Sequence, residues 1–170
     1  MSIAKAKTLV KAQTTPLTQL VALLALAGAA PLFLSQQITG PIVNALLFIA
    51  TVILGVQGAV VVAFFPSVFA LSVGLLPLPL APMIPFIMVG NFVLVVVFEY
   101  FRIKNFWLGV VVASLVKFLF LWASSSLIVS SLLSSQLATT VSAMFSWPQL
   151  ITALIGGVIA FIFLKRIKRI

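Results

Sequence analysis

Apolar residues run along this chain in long blocks, and the polar residues between them mark where helices end. A bilayer-spanning helix needs ~20 apolar residues, with ~17–25 the usual range. The first such block runs from Pro16 to about Ser35, and Pro16 suits a first helical turn. Ser35-Gln36-Gln37 and Thr39-Gly40-Pro41 interrupt it. From Pro41 to Leu75 the chain is almost wholly apolar. One helix of that length would rise ~50 Å, too long for a ~30 Å hydrocarbon core. The only good break inside it is Gly55-Val56-Gln57-Gly58, which predicts a short second helix over 41–55 and a third over 58–75. The second is short enough to be tilted, or embedded only part-way.

Four prolines in the nine residues Pro77–Pro85 follow, a density that no regular helix holds, because each proline lacks an N–H donor. An extended, stiff segment is expected there. A fourth helix is predicted over 85–101, ending at Arg102, and a fifth over 106–133. A polar loop from Ser134 to Ser146 precedes a sixth over 148–164. The pattern describes an all-α polytopic membrane protein, six transmembrane helices in one bundle, with residues 1–170 a single domain. The faint echo between Gly40-Pro41…Asn44 and Pro85…Gly90-Asn91 does not amount to a repeat.

Composition agrees with that class. The chain is 64% apolar and 6% charged, whereas about a quarter of residues are charged in soluble domains. Its eleven charges are also placed tellingly. Lys5, Lys7 and Lys11 precede the first apolar run, Glu99, Arg102 and Lys104 sit at a break in the middle, and Lys165, Arg166, Lys168 and Arg169 close the chain. With six spans these three groups share one face, which the bias of Lys and Arg sets as cytoplasmic. Both termini are then expected inside a bacterial or archaeal plasma membrane, and the opposite loops (36–40, 76–84 and 134–147) carry no charge. The net charge of +9 therefore follows membrane topology, and nucleic acid is not an expected partner. The first run lacks a clean small-residue cleavage site and resembles runs downstream, so a cleavable signal peptide is not expected.

The chain has no Cys, no His and no Asp, which leaves no thiolate, imidazole or carboxylate pair for a metal or for acid–base chemistry. Neither a cofactor nor an enzymatic activity is expected. Lys117, the eleventh charge, stands alone inside an apolar stretch from Phe106 to Trp122. It lies ~16 Å along its helix, near mid-membrane, and an ionisable residue at that depth is a functional candidate. Either it faces a cavity and meets an anionic or carbonyl group of a substrate, or it snorkels or pairs with carbonyls and the hydroxyls of Ser114, Ser124 and Ser125. Asn44 and Asn91 enter the bilayer from the opposite, outer side. They serve either as interhelical hydrogen bonds or as ligand contacts. Gln36, Gln37, Trp147 and Gln149 belong to the outer rim, with Trp147 an interface anchor or a ligand platform. Glu99 and Arg102 read as an exposed i, i+3 pair. Ala22, Ala25 and Ala29 give the first helix a small-residue face, for packing inside the protein or against a partner helix.

The chain resembles the substrate-binding S components of energy-coupling factor (ECF) transporters. The likeness rests on six helices in a chain of this length, Ala25-x-x-x-Ala29 in the first, and the outer sequence from Leu75 to Gly90-Asn91. It extends to Ser146-Trp147-Pro148-Gln149-Leu150, which continues through Gly156-Gly157 to a basic tail. It implies a vitamin-like solute held near the outer face, a transmembrane coupling subunit contacted by the small residues of the first helix, and two cytoplasmic ATPases. The chain has no phosphate-binding Gly-Lys-Ser/Thr loop of its own, as such a division of labour requires. It departs from the family in lacking an aromatic-rich cage, which leaves the substrate open. Two functions are carried forward, a substrate-capture subunit of an importer and a non-transporting membrane scaffold or assembly subunit. Ligand binding separates them.

Overall fold

A computed structural model of the chain describes residues 3–33, 36–74, 78–132 and 141–170, with side chains described over 16–33, 38–74, 81–127 and 141–170. Among the described residues there is no strand, and five long helices carry the fold. They are α1 (Ile3–Phe33), α2 (Gln36–Ser72), α3 (Ile84–Arg102), α4 (Phe106–Leu132) and α5 (Trp147–Arg166). All five are long and apolar enough to cross a membrane. Their outward faces remain apolar, with Phe33 82% and Leu127 70% exposed, as lipid-facing side chains would be.

The element α1 begins at Ile3 rather than at Pro16. The stretch before Pro16 is rich in Ala and Lys, both good helix formers, and a single proline removes only one backbone bond. The membrane-length apolar window inside α1 is Pro16–Phe33. Likewise α2 takes in Gly40-Pro41, a break by its polar pattern, since Pro41 near the start of the helix removes a single backbone bond.

In place of two separate helices over 41–55 and 58–75, α2 is one element of 37 residues, interrupted by non-helical backbone at Gly55. Gly55 adopts φ 71° and ψ −179°, a conformation that L side chains rarely take and glycine tolerates. The consequence is a reversal of direction. Thr39, near the start of α2, donates to the Ala30 carbonyl at the far end of α1, and Gly28 packs on Phe65 and Phe69 of the second half. Leu54 and Gly58, around the bend, instead border a recess with Pro16 and Leu20 at the other end of that span. In a straight helix Asn44 and Ala63 would stand ~28 Å apart. Here three consecutive hydrogen bonds join them through Lys117 and Asn91, so the halves of α2 run side by side.

The proline-rich stretch departs from expectation. Leu78–Met83 is a 3-10 helix rather than an extended strap. Proline's fixed φ is also a helical φ, and a short 3-10 turn needs few of the N–H donors that proline lacks. The end of the expected 134–146 loop is also helical, with a turn at 141–144, while 134–140 lies outside the described residues. Val141 and Phe145 are buried against Met83 and Leu121, so apolar packing rather than local polarity decides that turn.

The main core lies between the Lys117 level and the end that carries the basic residues. Phe98 is fully buried, with its ring 4.7 Å from Phe48 and 5.4 Å from Phe106, both edge-on. Small residues let the helices close around it. A Cβ added to Gly157 would come within 2.2 Å of Val110, and one on Gly109 within 3.0 Å of the Arg102 backbone. The α3–α4 turn is tied off by Asn105, whose Oδ1 accepts from the backbone N–H groups of Trp107 and Leu108.

Candidate binding cavity

Beyond the Lys117 level, at the end opposite the basic residues, the helices part around a cavity of about 670 Å³. That is within the usual range for small-molecule pockets. Its floor is Lys117 with Asn44 and Asn91, and its walls are mainly apolar, including Val43, Ile84, Ile87, Leu121 and Ile155.

The floor draws one side chain from each of three helices. Lys117 on α4 is 4% exposed, Asn91 on α3 3% and Asn44 on α2 2%. The Lys117 ammonium donates to Asn44 Oδ1 at 2.6 Å and to Asn91 Oδ1 at 2.7 Å. Each amide is in turn fixed by its nitrogen, for Asn44 Nδ2 donates to the Gly40 carbonyl and Asn91 Nδ2 to the Ala63 carbonyl. Both amide oxygens are thereby aimed at the ammonium. This arrangement binds a cation with dipoles alone, because the only acidic residue of the chain, Glu99, is paired with Arg102. The ammonium's third N–H has no hydrogen-bond partner among the described residues.

Glycines place these side chains. A Cβ on Gly156 of α5 would lie 2.8 Å from Asn44 Cβ, the Ala45 nitrogen and the Pro41 carbonyl, so α5 rests directly on the Asn44 turn. Gly90, next to Asn91, packs on Leu121, where a Cβ would be 3.1 Å away. Sequence alone gives these glycines no positioning role. Their signal is proximity, since each adjoins a polar residue or another glycine inside an apolar span.

The remaining candidates sort by position. Trp147, 65% exposed, and Gln149 border the cavity at the start of α5, with Gln149 Nε2 donating to the Met144 carbonyl. Thr39 and Thr152, which sequence reasoning missed, line the same space. The side chains of Gln36 and Gln37 lie outside the described residues. The serines expected as partners for Lys117 do not bond to it. Ser124 and Ser125 donate to carbonyls of their own helix, at Phe120 and Trp122, while buried Ser114 Oγ has no partner among the described residues. A hydroxyl within one turn of its own backbone finds a carbonyl there first. Ala22 and Ala25 are exposed and Ala29 half-buried, whereas α1 packs inward through Leu23, Ala27, Gly28 and Ala30. Among the described residues no cluster of metal-binding side chains occurs.

Comparison with protein-family models, with curated proteins and with solved structures finds no match for this chain.

Proposed function

We propose that the chain is the substrate-binding membrane subunit of an ECF-type importer, capturing a small vitamin-like solute from the outer side for uptake driven by partner ATPases. One observation carries this reading, a buried ammonium without a carboxylate counter-charge at the floor of a cavity large enough for a small solute. A buried charge costs several kcal/mol unless it is paired, and a bound anion or carbonyl would supply the missing partner.

In this reading the two halves of α2 cross the membrane separately, making six spans in one bundle. The reversal at Gly55 supports that division. An even number of spans puts both termini on the side of the basic residues, the cytoplasm by the bias of Lys and Arg. The cavity then faces outward, where a scavenging subunit meets its solute, and the coupling subunit and two ATPases act on the other side.

A scaffold without a ligand is the competing reading, favoured by the two amide oxygens that already hold Lys117. It leaves the cavity without a purpose. Mass spectrometry of small molecules released from the protein purified in mild detergent tests the choice. Capture predicts one solute at near-stoichiometric yield from the parent and depleted from Lys117→Met. Cysteines introduced singly at Gln37 and Asn105 test orientation, with an impermeant thiol reagent labelling Gln37→Cys from outside intact cells and sparing Asn105→Cys. Labelling of Asn105→Cys from outside defeats the six-span arrangement.

A further inference from the structure

We infer that the solute taken by this cavity is a monocarboxylate with an aliphatic body, its carboxylate on the third N–H of Lys117. The inference rests on the capture reading above and follows from three properties of the site.

The first is charge. The cavity floor carries one cation, and the one acidic residue of the chain is engaged by Arg102 near the opposite end of α3. A monoanion brings the buried site to neutrality, a neutral solute leaves it positive, and a dianion makes it negative. In surroundings of low dielectric either imbalance is costly.

The second is the supply of donors. Each floor amide spends one N–H on a backbone carbonyl, of Gly40 or Ala63, and turns its oxygen to Lys117, so any further amide donor there is uncharged. Lys117 has already given two of its three protons to those oxygens. One charge-assisted N–H remains at the floor. That matches a carboxylate, which accepts a strong bond at one oxygen and leaves the other for a water or an uncharged amide N–H. A phosphate monoester carries about −1.5 to −2 charges and three acceptor oxygens, and this floor offers them a single charged donor.

The third is the character of the walls. Val43, Ile84, Ile87, Leu121 and Ile155 surround the space above the floor. Among the described residues, Phe145 and Trp147 are the aromatic side chains lining it, and Trp147 sits at the rim, 65% exposed. With no pair of facing rings there to sandwich a flat heterocycle, the walls favour an aliphatic body over a stacked one.

Calorimetry in lipid nanodiscs, against empty nanodiscs as the blank, tests this with three probes of one shape: cyclohexylacetate, cyclohexylacetamide and cyclohexylmethyl phosphate. Cyclohexylacetate should bind the parent protein best, with the amide and the phosphate at least about tenfold weaker. Its affinity should fall about thirtyfold or more in Lys117→Met. Equal binding of the amide, preference for the phosphate, or an unchanged affinity in Lys117→Met overturns the monocarboxylate assignment and leaves solute capture standing. Absence of binding of all three probes, checked by competition as well as by heat, also overturns the monocarboxylate assignment, while capture itself stands or falls on the co-purified solute. Should Lys117→Met fail to fold, the ranking of the probes on the parent protein decides by itself.

Discussion

The two ends of this helix bundle are built on opposite principles. Toward the basic residues, rings and small side chains close the space. Phe98 lies between Phe48 and Phe106, and the Phe161 ring of α5 lies 4.8 Å from that of Trp107. Toward the other end the helices carry prolines at 31, 41, 66 and 148, and they part around the cavity. Lys117 marks the boundary. Among the described residues the cavity ends on this packed layer. In the proposed importer, release on the far side would require the helices to move as a body, driven by the proposed energised partner.

The sharpest way to break this contrast is to open the closed end. Phe98→Ala should cost about 3–5 kcal/mol, the range for a buried Phe truncated without collapse around it. Phe98 is fully buried and makes two ring contacts, so the void has little to fill it. Thermal unfolding in detergent should show a larger fall for this variant than for any change at the cavity floor. If the loss is under about 1 kcal/mol, the closed end is not the stabilising half.

The floor responds more modestly. Asn91→Leu removes one acceptor from Lys117 and also the bond to the Ala63 carbonyl, and should cost about 1–3 kcal/mol. Lys117→Met leaves two amide oxygens without a donor but removes the buried charge, so its cost should be smaller than that of Asn91→Leu. In the double variant the two changes should be clearly non-additive, with a coupling of about 1.5–3 kcal/mol, the scale of a hydrogen bond to a charged group. Strict additivity would mean that the two side chains do not share a bond in the bilayer.

The legibility of the two ends differs as their physics does. Membrane class, helix content and the break near Gly55 follow from run length and from the few residues able to interrupt a run. They are local, and the sequence carries them openly. Lys117 stands out because one charge in an apolar stretch has few uses. That Asn44 and Asn91 would both reach it is not legible, since it depends on α2 doubling back and on the register of three helices. Neither the Gly156 contact with Asn44 nor the burial of Val141 and Phe145 has a local signal strong enough to rank them. Pro77–Pro85 misleads for a different reason. Proline density argues against α-helix, yet proline's φ suits a short 3-10 turn as well as an extended strap.

The smallest expected effect on folding belongs to α1, the helix that separates the inside of the bundle from whatever lies beside it. Its inward contacts are Leu23, Ala27, Gly28 and Ala30, with Gly28 close enough to Phe65 that an added Cβ would sit 2.9 Å from the ring. Ala25 points away and is exposed. Ala25→Trp therefore meets no neighbour among the described residues, and its stability should stay within about 0.5 kcal/mol of the parent. Gly28→Trp, one turn on but facing inward, should unfold or mispack the same helix. That contrast tests the division of faces before any partner is considered. Close approach of a second helix depends on small side chains, and an indole at Ala25 would hold the two backbones apart. With folding and cyclohexylacetate binding unchanged, Ala25→Trp should then lose co-purification with a coupling subunit expressed alongside it. Full recovery of that complex would place the partner contact elsewhere on the bundle, and a fall in stability would place Ala25 inside it.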